Sequence, residues 1–353
     1  MSPYFLIKMT KVTYLLGAGA SFEVLPLAKT IKDQTGKEHP GLGQRMGLLA
    51  NEIKELSKSL SREDSNNALS FIEGLIWLQK EADIHGTIDT FAKKLFLQKD
   101  FKTLNKLKTH LSLFFIIEQR TKGYDKRYIS FFASILEQTE DGICMPSNIN
   151  ILTWNYDLQL EMAFQYYHRK DNHSNIKSSQ LAMNSIPNYD FLLSNKACLA
   201  GIVHLNGIAG LYLTEDGKAN DIYDRSEDSK IQKLEEALRD NLFILESAGR
   251  TITLDKTFQF AWENTAYDSP LLNSAKNIAL GTSILVIIGY SFPFFNRNID
   301  RILFHFMKNS IDKIYFQDPV LDGSFLRAQF DLSKNFNIEH IKETNQFFLP
   351  YEL

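Results

Sequence analysis

Cysteine is almost absent from this chain, since Cys144 and Cys198 are the only two among 353 residues. A framework of disulfides and a zinc site built from four cysteines are therefore excluded. Long apolar runs are missing as well, because no stretch approaches the roughly 20 residues of a membrane-spanning helix. The opening residues MSPYFLIKMTK are too short and too interrupted for a signal peptide. We therefore expect a protein of the reducing cytoplasm.

A strong excess of charge of either sign is also missing. The 39 lysines and arginines and the 42 aspartates and glutamates leave a net charge of -3. This balance gives the chain as a whole no attraction to nucleic acid or to a membrane. It does not exclude a local basic patch. Apolar residues make up 44% of the chain and charged residues 23%, which is typical of a globular protein. The length allows one large or two ordinary domains.

Two kinds of apolar pattern divide the chain. Residues 10–31 have the pattern of a strand, a glycine loop and a helix. From about residue 42 to 140, apolar residues recur at spacings of three and four, which predicts three to five helices. We expect the first of these apolar faces to pack against the neighbouring helices, with self-association as the alternative. Its members are Leu42, Met46, Leu49, Ile53, Leu56 and Leu60.

Strand patterns return after Ile149, in the segments INILTWN, AGIVHLNG, RTITL, TSILVIIGYS and DKIYFQDP. Several are continuous apolar runs, which suit strands buried on both faces of a parallel sheet. Helical patterns lie between them, as in residues 229–247. This alternation predicts a doubly wound, Rossmann-like α/β fold with a mostly parallel sheet and an all-helical insertion. Residues 1–41 and 143–353 would form the core, and residues 42–142 the insertion.

Polar residues follow several of these strands, and ligands of open α/β sheets collect at the carboxyl ends of strands. The first strand is followed by GAGAS, whose glycines allow a close backbone approach and whose following helix would offer N–H groups to a phosphate. A tight turn without a ligand is the alternative. Four later strand ends carry further polar or glycine residues, each of which can also serve as a cap, a turn or a structural residue. The candidates are Gly17, Ala18, Gly19, Ala20, Ser21, Thr153, Asn155, Asp157, His204, Gly289, Ser291, Phe292 and Asp318.

The order of these motifs resembles the sirtuin family. GAGAS, then TWNYD, then His-x-x-Gly, then GYS closing an apolar strand follow one another over residues 10–30 and 145–320. Within that family the chain looks most like the sirtuin-like proteins of bacterial antiphage defence, which have NYD and GYS. The deacylases of the family carry a four-cysteine zinc module and a Pro-Asp-Phe-Arg segment, and this chain has neither. These two absences argue against protein deacylation.

The resemblance implies that the chain binds NAD and cleaves its nicotinamide–ribose bond, without a metal. Asn155 would hold the ribose or the attacking water, and Asp157 would place negative charge or a hydrogen bond nearby. His204 would act as general base for water or for a ribose hydroxyl. Cleavage of such a bond develops oxocarbenium character at the ribose carbon. The remaining candidates would bind the cofactor: Gly17 to Ser21 at the diphosphate, Gly289 and Ser291 on the adenosine side, and Asp318 at the adenosine ribose. Thr153 and Phe292 would also contribute to the cofactor site.

The resemblance also implies partners and a biological setting. Related defence proteins form homo-oligomers or work beside a HerA-type ring ATPase, and they deplete NAD in abortive infection. Two other functions stay open at this stage. One is a non-catalytic NAD or nucleotide sensor within a defence assembly, and the other is an NAD-dependent deacylase or ADP-ribosyltransferase.

Overall fold

A computed structural model defines the fold and describes residues 10–32, 36–59, 62–140, 142–168, 176–194, 196–214, 219–221, 252–253, 257–263 and 269–353. The helix expected over residues 229–247 lies outside these ranges. Within the part of the chain that the structure describes, no helix is both long enough and apolar enough to cross a membrane.

The strands are β1 (Val12–Leu16), β2 (Ile31–Lys32), β3 (Glu38–His39), β4 (Glu137–Thr139), β5 (Gly142–Cys144), β6 (Ile149–Thr153), β7 (Ser185–Ile186), β8 (Ile202–His204), β9 (Leu211–Thr214), β10 (Ala219–Asp221), β11 (Ile252–Thr253), β12 (Ile284–Ile288), β13 (Lys313–Gln317) and β14 (Asn337–Ile341). The helices are α1 (Leu42–Leu56), α2 (Arg62–His85), α3 (Ile88–Leu97), α4 (Phe101–Lys122), α5 (Lys126–Ile135), α6 (Gln159–His168), α7 (Ile176–Ala182), α8 (Tyr189–Ser194), α9 (Pro270–Gly281), α10 (Arg297–Met307) and α11 (Phe325–Gln329).

Seven strands form the central sheet in the order β14-β13-β12-β1-β6-β8-β7, and every neighbouring pair is parallel. The central strands β1 and β12 are buried along their whole length, as their continuous apolar sequences predict. Helices flank the sheet and bury its two faces. The predicted Rossmann-like α/β fold with a parallel sheet is therefore confirmed.

The short antiparallel strands β2 to β5, β9 and β10 were not predicted, and three further strands differ from the expectation or were missed. The RTITL segment contains β11, which pairs antiparallel with β9 in a separate three-stranded sheet. The edge strands β7 and β14 were not predicted. Strand β7 has only two residues, and β14 has the mixed sequence NIEHI with no fully buried position. Neither strand offers the apolar run or the alternation by which a strand is recognised in a sequence.

Helices α1 to α4 build an apolar core of their own. Met46, Leu49 and Ile53 of the first predicted apolar face are buried in it, and Leu42 packs at its border. Leu60 lies outside the described residues. The same core includes Ala209 from the loop after β8, and Phe258 and Phe260 from the segment after β11. The apolar face is therefore used inside the chain, and the helical region rests on loops at the edge of the sheet.

Helix α5 belongs to the packing of the sheet, although it falls within the segment 42–142. Its residues Tyr128, Phe131 and Phe132 share a core with Tyr14 and Ile151 of the central strands. The antiparallel hairpin of β4 and β5 follows it. The segment is thus not helical throughout, and its last helix packs as a flanking helix of the α/β core.

The prediction of a helix after the glycine loop is wrong. The chain forms only a short 3-10 helix over Ala18–Ser21, and the amides of Val24 and Leu25 then turn back to the Ser21 carbonyl. Pro26 follows, and a proline disfavours helical conformation in the residue before it. No long helix therefore offers its N-terminus to a phosphate at this loop.

Candidate functional site

The predicted site residues lie at one edge of the sheet because their strands end level with one another. Leu16 of β1 is in register with Thr153 of β6 and with Ile288 of β12. Thr153 is in turn in register with His204 of β8. The loops that carry the glycines, the TWNYD turn and the histidine therefore start side by side, as a parallel sheet requires.

Ser21 contacts site residues from other parts of the chain. Its hydroxyl lies 3.1 Å from the Tyr128 hydroxyl and accepts a hydrogen bond of 3.3 Å from the side-chain amide of Asn155. Ser21 also lowers the pKa of the nearby Asp157 carboxyl group. The turn that presents Asn155 is itself shaped by Thr153, whose hydroxyl accepts the Asn155 backbone N–H at 3.1 Å. Side chains from two separate strand ends and from helix α5 thus form one hydrogen-bonded group.

Asp157 is buried, and its surroundings make it a weaker acid than usual. Burial raises the pKa of this carboxyl to about 6, against the lowering effect of hydrogen bonds from the Gln159 backbone N–H and from Ser21. The positive charge of His204 also lowers this pKa. Asp157 is therefore mostly ionised at neutral pH and becomes protonated in mildly acidic solution.

His204 is buried against the carboxylate of Glu161. Its Nε2 lies 2.9 Å from Glu161 Oε1, and its Nδ1 lies 3.5 Å from the backbone carbonyl of Asn155. Burial by itself would lower the pKa of His204, but Glu161 and Asp157 together raise it above its ordinary value. Burial would raise the pKa of Glu161, yet His204 and Ser185 hold it below its ordinary value. The two groups therefore form a buried ion pair when His204 is protonated.

Glu161, Ser185 and Tyr128 were missed by the sequence reasoning. Glu161 stands four residues after Asp157 in the first turn of α6, so the helical spacing could have placed it on the same side as the turn. Ser185 donates a hydrogen bond of 2.6 Å to Glu161 Oε1 from the edge strand β7. Tyr128 arrives from α5, far away in sequence. Nothing local in the sequence marks Ser185 or Tyr128.

The glycines of GAGAS are required by the packing of two loops. The Gly17 amide donates to the Ile288 carbonyl at 3.0 Å, and the Gly19 amide donates to the Gly289 carbonyl at 2.9 Å. A Cβ at Gly17 would lie 2.6 Å from the Gly289 oxygen. These two amides are consequently used within the protein and do not face a ligand. Among the five loop residues, Ala18 is the exposed one.

Arg127 holds the glycine loop in place through hydrogen bonds to its backbone carbonyls. Its guanidinium group donates to the carbonyls of Gly19 and Ala20, at 3.2 and 2.9 Å. The same buried side chain is paired with Asp125 and lies over the ring of Phe22. A charge-assisted bond to two loop carbonyls holds the conformation more firmly than a neutral one would. The glycine loop is thus rigidly held on both sides.

The loop after β12 carries Gly289, Ser291 and Phe292. Gly289 and Phe292 both have positive φ values, of 59° and 54°. Ser291 is exposed, whereas Phe292 is buried among the aromatic rings of Phe304, Phe325 and neighbouring residues. Phe292 also lines an open groove of about 440 Å³ together with Phe294, Arg297, Phe325, Ala328 and Gln329.

Asp318 forms a turn. One of its carboxylate oxygens accepts the backbone N–H groups of Val320 at 2.8 Å and Leu321 at 2.7 Å. This is the turn-forming role that the sequence left open for an aspartate before Pro319. The other candidates gather around β1, β6, β8 and β12, whereas Asp318 follows β13.

A second buried acid lies next to the site. Asp300 in the first turn of α10 accepts a hydrogen bond from the Tyr290 hydroxyl, at 3.0 and 2.8 Å to its two oxygens. Burial raises the pKa of Asp300 to about 8, so this carboxyl group is largely protonated at neutral pH. Tyr290 stacks on Trp154 of the TWNYD turn, with ring centres 6.0 Å apart.

Among the residues described, no three His, Cys, Asp or Glu side chains are grouped as a metal site would need. No protein-family model, no curated protein and no solved structure matches the chain. The geometry of the cluster is therefore the basis on which a function is argued.

Proposed function

We propose that this protein hydrolyses NAD at the bond between nicotinamide and ribose, giving nicotinamide and ADP-ribose. The observation that carries the proposal is that Ser21, Asn155, Asp157 and His204 lie together at the carboxyl edge of a parallel sheet, with Asn155 bonded to Ser21 and in contact with His204. Such an edge is where Rossmann-like folds bind their ligands. The cluster combines an amide, a carboxylate and an imidazole, the groups that this reaction needs.

The reaction makes modest demands on the protein. Nicotinamide leaves readily, so the site has to orient ribose and water and stabilise positive charge on the ribose carbon. In the proposal Asn155 orients ribose or water, the ionised Asp157 stabilises the oxocarbenium-like transition state, and His204 accepts a proton from the water. All three act within one small buried volume, where electrostatic effects are stronger than in water.

The diphosphate and adenosine parts of NAD are assigned to residues that lie around this cluster. The diphosphate lies against Ala18 and Ser21, since the amides of Gly17 and Gly19 are engaged with the β12 loop. Ser291 is the exposed residue on the adenosine side. Asp318 uses one carboxylate oxygen in its turn, so only its other oxygen would contact the adenosine ribose.

The proposed catalytic residues are buried, so the site has to open before NAD can bind. The exposed fractions are 8% for Asn155, 6% for Asp157 and 1% for His204, so NAD cannot reach these groups without a movement of the covering loops. An NAD hydrolase in a cell has to be held inactive until it is needed. The proposal therefore includes activation by assembly, through a homo-oligomer or a HerA-type ring ATPase, in cytoplasmic antiphage defence that acts by abortive infection.

The test is incubation of the purified protein with NAD, alone and with the candidate ATPase, followed by chromatography. Release of equal amounts of nicotinamide and ADP-ribose supports the proposal. Full recovery of intact NAD under every assembly condition contradicts it, and bound intact nucleotide would then identify a sensor. Nicotinamide release that depends on an added protein or acylated peptide, with transfer to that acceptor, would identify a transferase or deacylase.

A further inference from the structure

The contact between His204 and Glu161 determines which ring nitrogen is available for catalysis. Glu161 is completely buried, and its pKa lies below the ordinary value, so it is an ionised acceptor. A carboxylate can only accept, and Nε2 at 2.9 Å from it therefore carries a hydrogen. Neutral His204 then has its lone pair on Nδ1, on the side of Asn155.

Nδ1 faces a backbone carbonyl, which favours its protonated form. Its nearest partner is the Asn155 carbonyl at 3.5 Å, a long contact. A carbonyl oxygen cannot donate, so this contact becomes a hydrogen bond only after Nδ1 has taken up a proton. The imidazole thus has one nitrogen anchored by a carboxylate and the other beside the backbone carbonyl of Asn155, the residue whose side chain is proposed to hold the ribose.

We infer that Glu161 is a positioning residue, which holds His204 in the Nε2–H form and makes Nδ1 the atom that accepts the proton. This inference rests on the proposed function. In the step, a water O–H bond breaks and a Nδ1–H bond forms while the oxygen bonds to the ribose carbon. The glycosidic C–N bond breaks, and its electron pair goes to the nicotinamide nitrogen. The imidazolium ion is stabilised by Glu161 and later releases the proton to solvent.

The remaining contacts of Glu161 support a role in the reaction. Ser185 donates to the same oxygen, Oε1, and so fixes the carboxylate in place. The other oxygen, Oε2, is buried without a hydrogen-bond partner among the described residues. An incompletely solvated buried carboxylate costs free energy unless a positive charge compensates it. That compensation is greatest when His204 is protonated, the state that follows proton transfer.

The charges that face His204 determine the expected pH dependence. Glu161 lies on α6, Asp157 lies in the turn after β6, and both raise the pKa of His204. The Asn155 carbonyl has the same effect, and Ser185 reaches the pair only through Glu161. A base must be neutral to act, so NAD hydrolysis should rise with pH through a midpoint above 6.5. Without the charge of Glu161 the midpoint should move to lower pH.

The first experiment needs no activity. Protein labelled with ¹⁵N-histidine is titrated by NMR, with the His204 resonances assigned from a His204→Gln variant. We expect the Nε2–H form and a midpoint above 6.5, which falls in Glu161→Gln. The Nδ1–H form in the wild-type protein overturns the inference, whatever the outcome for NAD hydrolysis. This result decides the question even where Glu161→Gln does not fold.

The second experiment compares pH–rate profiles of wild type, Glu161→Gln and Glu137→Gln. Glu137 is exposed on the β4 hairpin and makes the same chemical change a control. We expect Glu161→Gln to lose about 10²-fold in rate, the lower end of what a positioned base contributes, and to shift its midpoint to lower pH. An unchanged rate and midpoint in Glu161→Gln contradicts the inference. Absence of turnover in the wild type contradicts the proposed function instead.

Discussion

Gly19 and Gly289 touch through their backbones, where the loop after β1 meets the loop after β12. A Cβ at Gly19 would lie 2.7 Å from Gly289 Cα, and a Cβ at Gly289 would lie 2.4 Å from the Gly19 carbonyl carbon. Real Cβ atoms do not approach backbone so closely. The glycines of GAGAS and GYS are therefore needed for the fold itself, in addition to any part they have in binding NAD.

Gly19→Ala should consequently destabilise the protein. The added methyl group meets backbone, which cannot rotate away, and overpacking of this kind costs about 1–3 kcal/mol or more. Gly281→Ala is the matched control, because its Cβ would meet the flexible end of the Lys11 side chain at 3.2 Å. Thermal unfolding measures both. Equal melting temperatures for the two variants would show that the loop contact is not needed.

Ala18 offers a test of diphosphate binding that leaves the loop contact intact. Ala18→Asp places a negative charge on the exposed position of the loop, whereas Ala18→Asn has the same shape without the charge. Two like charges 4 Å apart repel by about 1 kcal/mol in water, so Ala18→Asp should weaken NAD binding roughly fivefold or more. Calorimetric titration with NAD measures the Kd. Equal affinity for both variants would place the diphosphate elsewhere.

Asn155→Ala should separate catalysis from binding. The side chain orients ribose or water in the proposal, and a loss of positioning costs about 10²-fold in rate. NAD affinity should change little, because the diphosphate and adenosine contacts remain. Asn150→Ala is the control, since Asn150 lies on the same strand, β6, near its other end. Nicotinamide release and NAD binding are measured in parallel. Near-native turnover in Asn155→Ala would show that the residue is structural.

Asp300→Asn tests the second buried acid through the pH dependence of stability. The pKa of Asp300 is about 8 in the folded protein and near 3.8 when unfolded. Between these values the folded state keeps a proton that the unfolded state has lost, so wild-type stability falls as pH rises. The Asp300→Asn variant has no ionisable group at this position, so this contribution to its stability does not change with pH.

The melting temperature of Asp300→Asn relative to wild type should therefore increase from pH 4 to about pH 8 and then stay constant. Asp312→Asn, at an exposed aspartate in the turn between α10 and β13, controls for a general effect of removing one acid. A constant difference between Asp300→Asn and wild type across this pH range would show that Asp300 is ionised throughout.

The parallel sheet and the positions of most candidate residues follow from the sequence. Continuous apolar runs such as ILVII have no polar face to expose, so they form strands buried on both sides, and β12 is one. The residue after such a strand lies at the carboxyl edge of the sheet wherever the strand is placed. Asn155, Asp157 and His204 therefore had to lie at one edge once the strands were parallel.

Only the tertiary structure decided what those residues touch. Glu161 and His204 are separated by 43 positions, and Ser21 and Tyr128 by 107. No periodicity connects residues so far apart, because periodicity reports which face of one element is buried and not which side chain it meets. The glycine loop makes the same point: its sequence allowed a phosphate cradle or a tight turn. The contact with Gly289 and the missing helix showed that its amides first serve the packing of two strand ends.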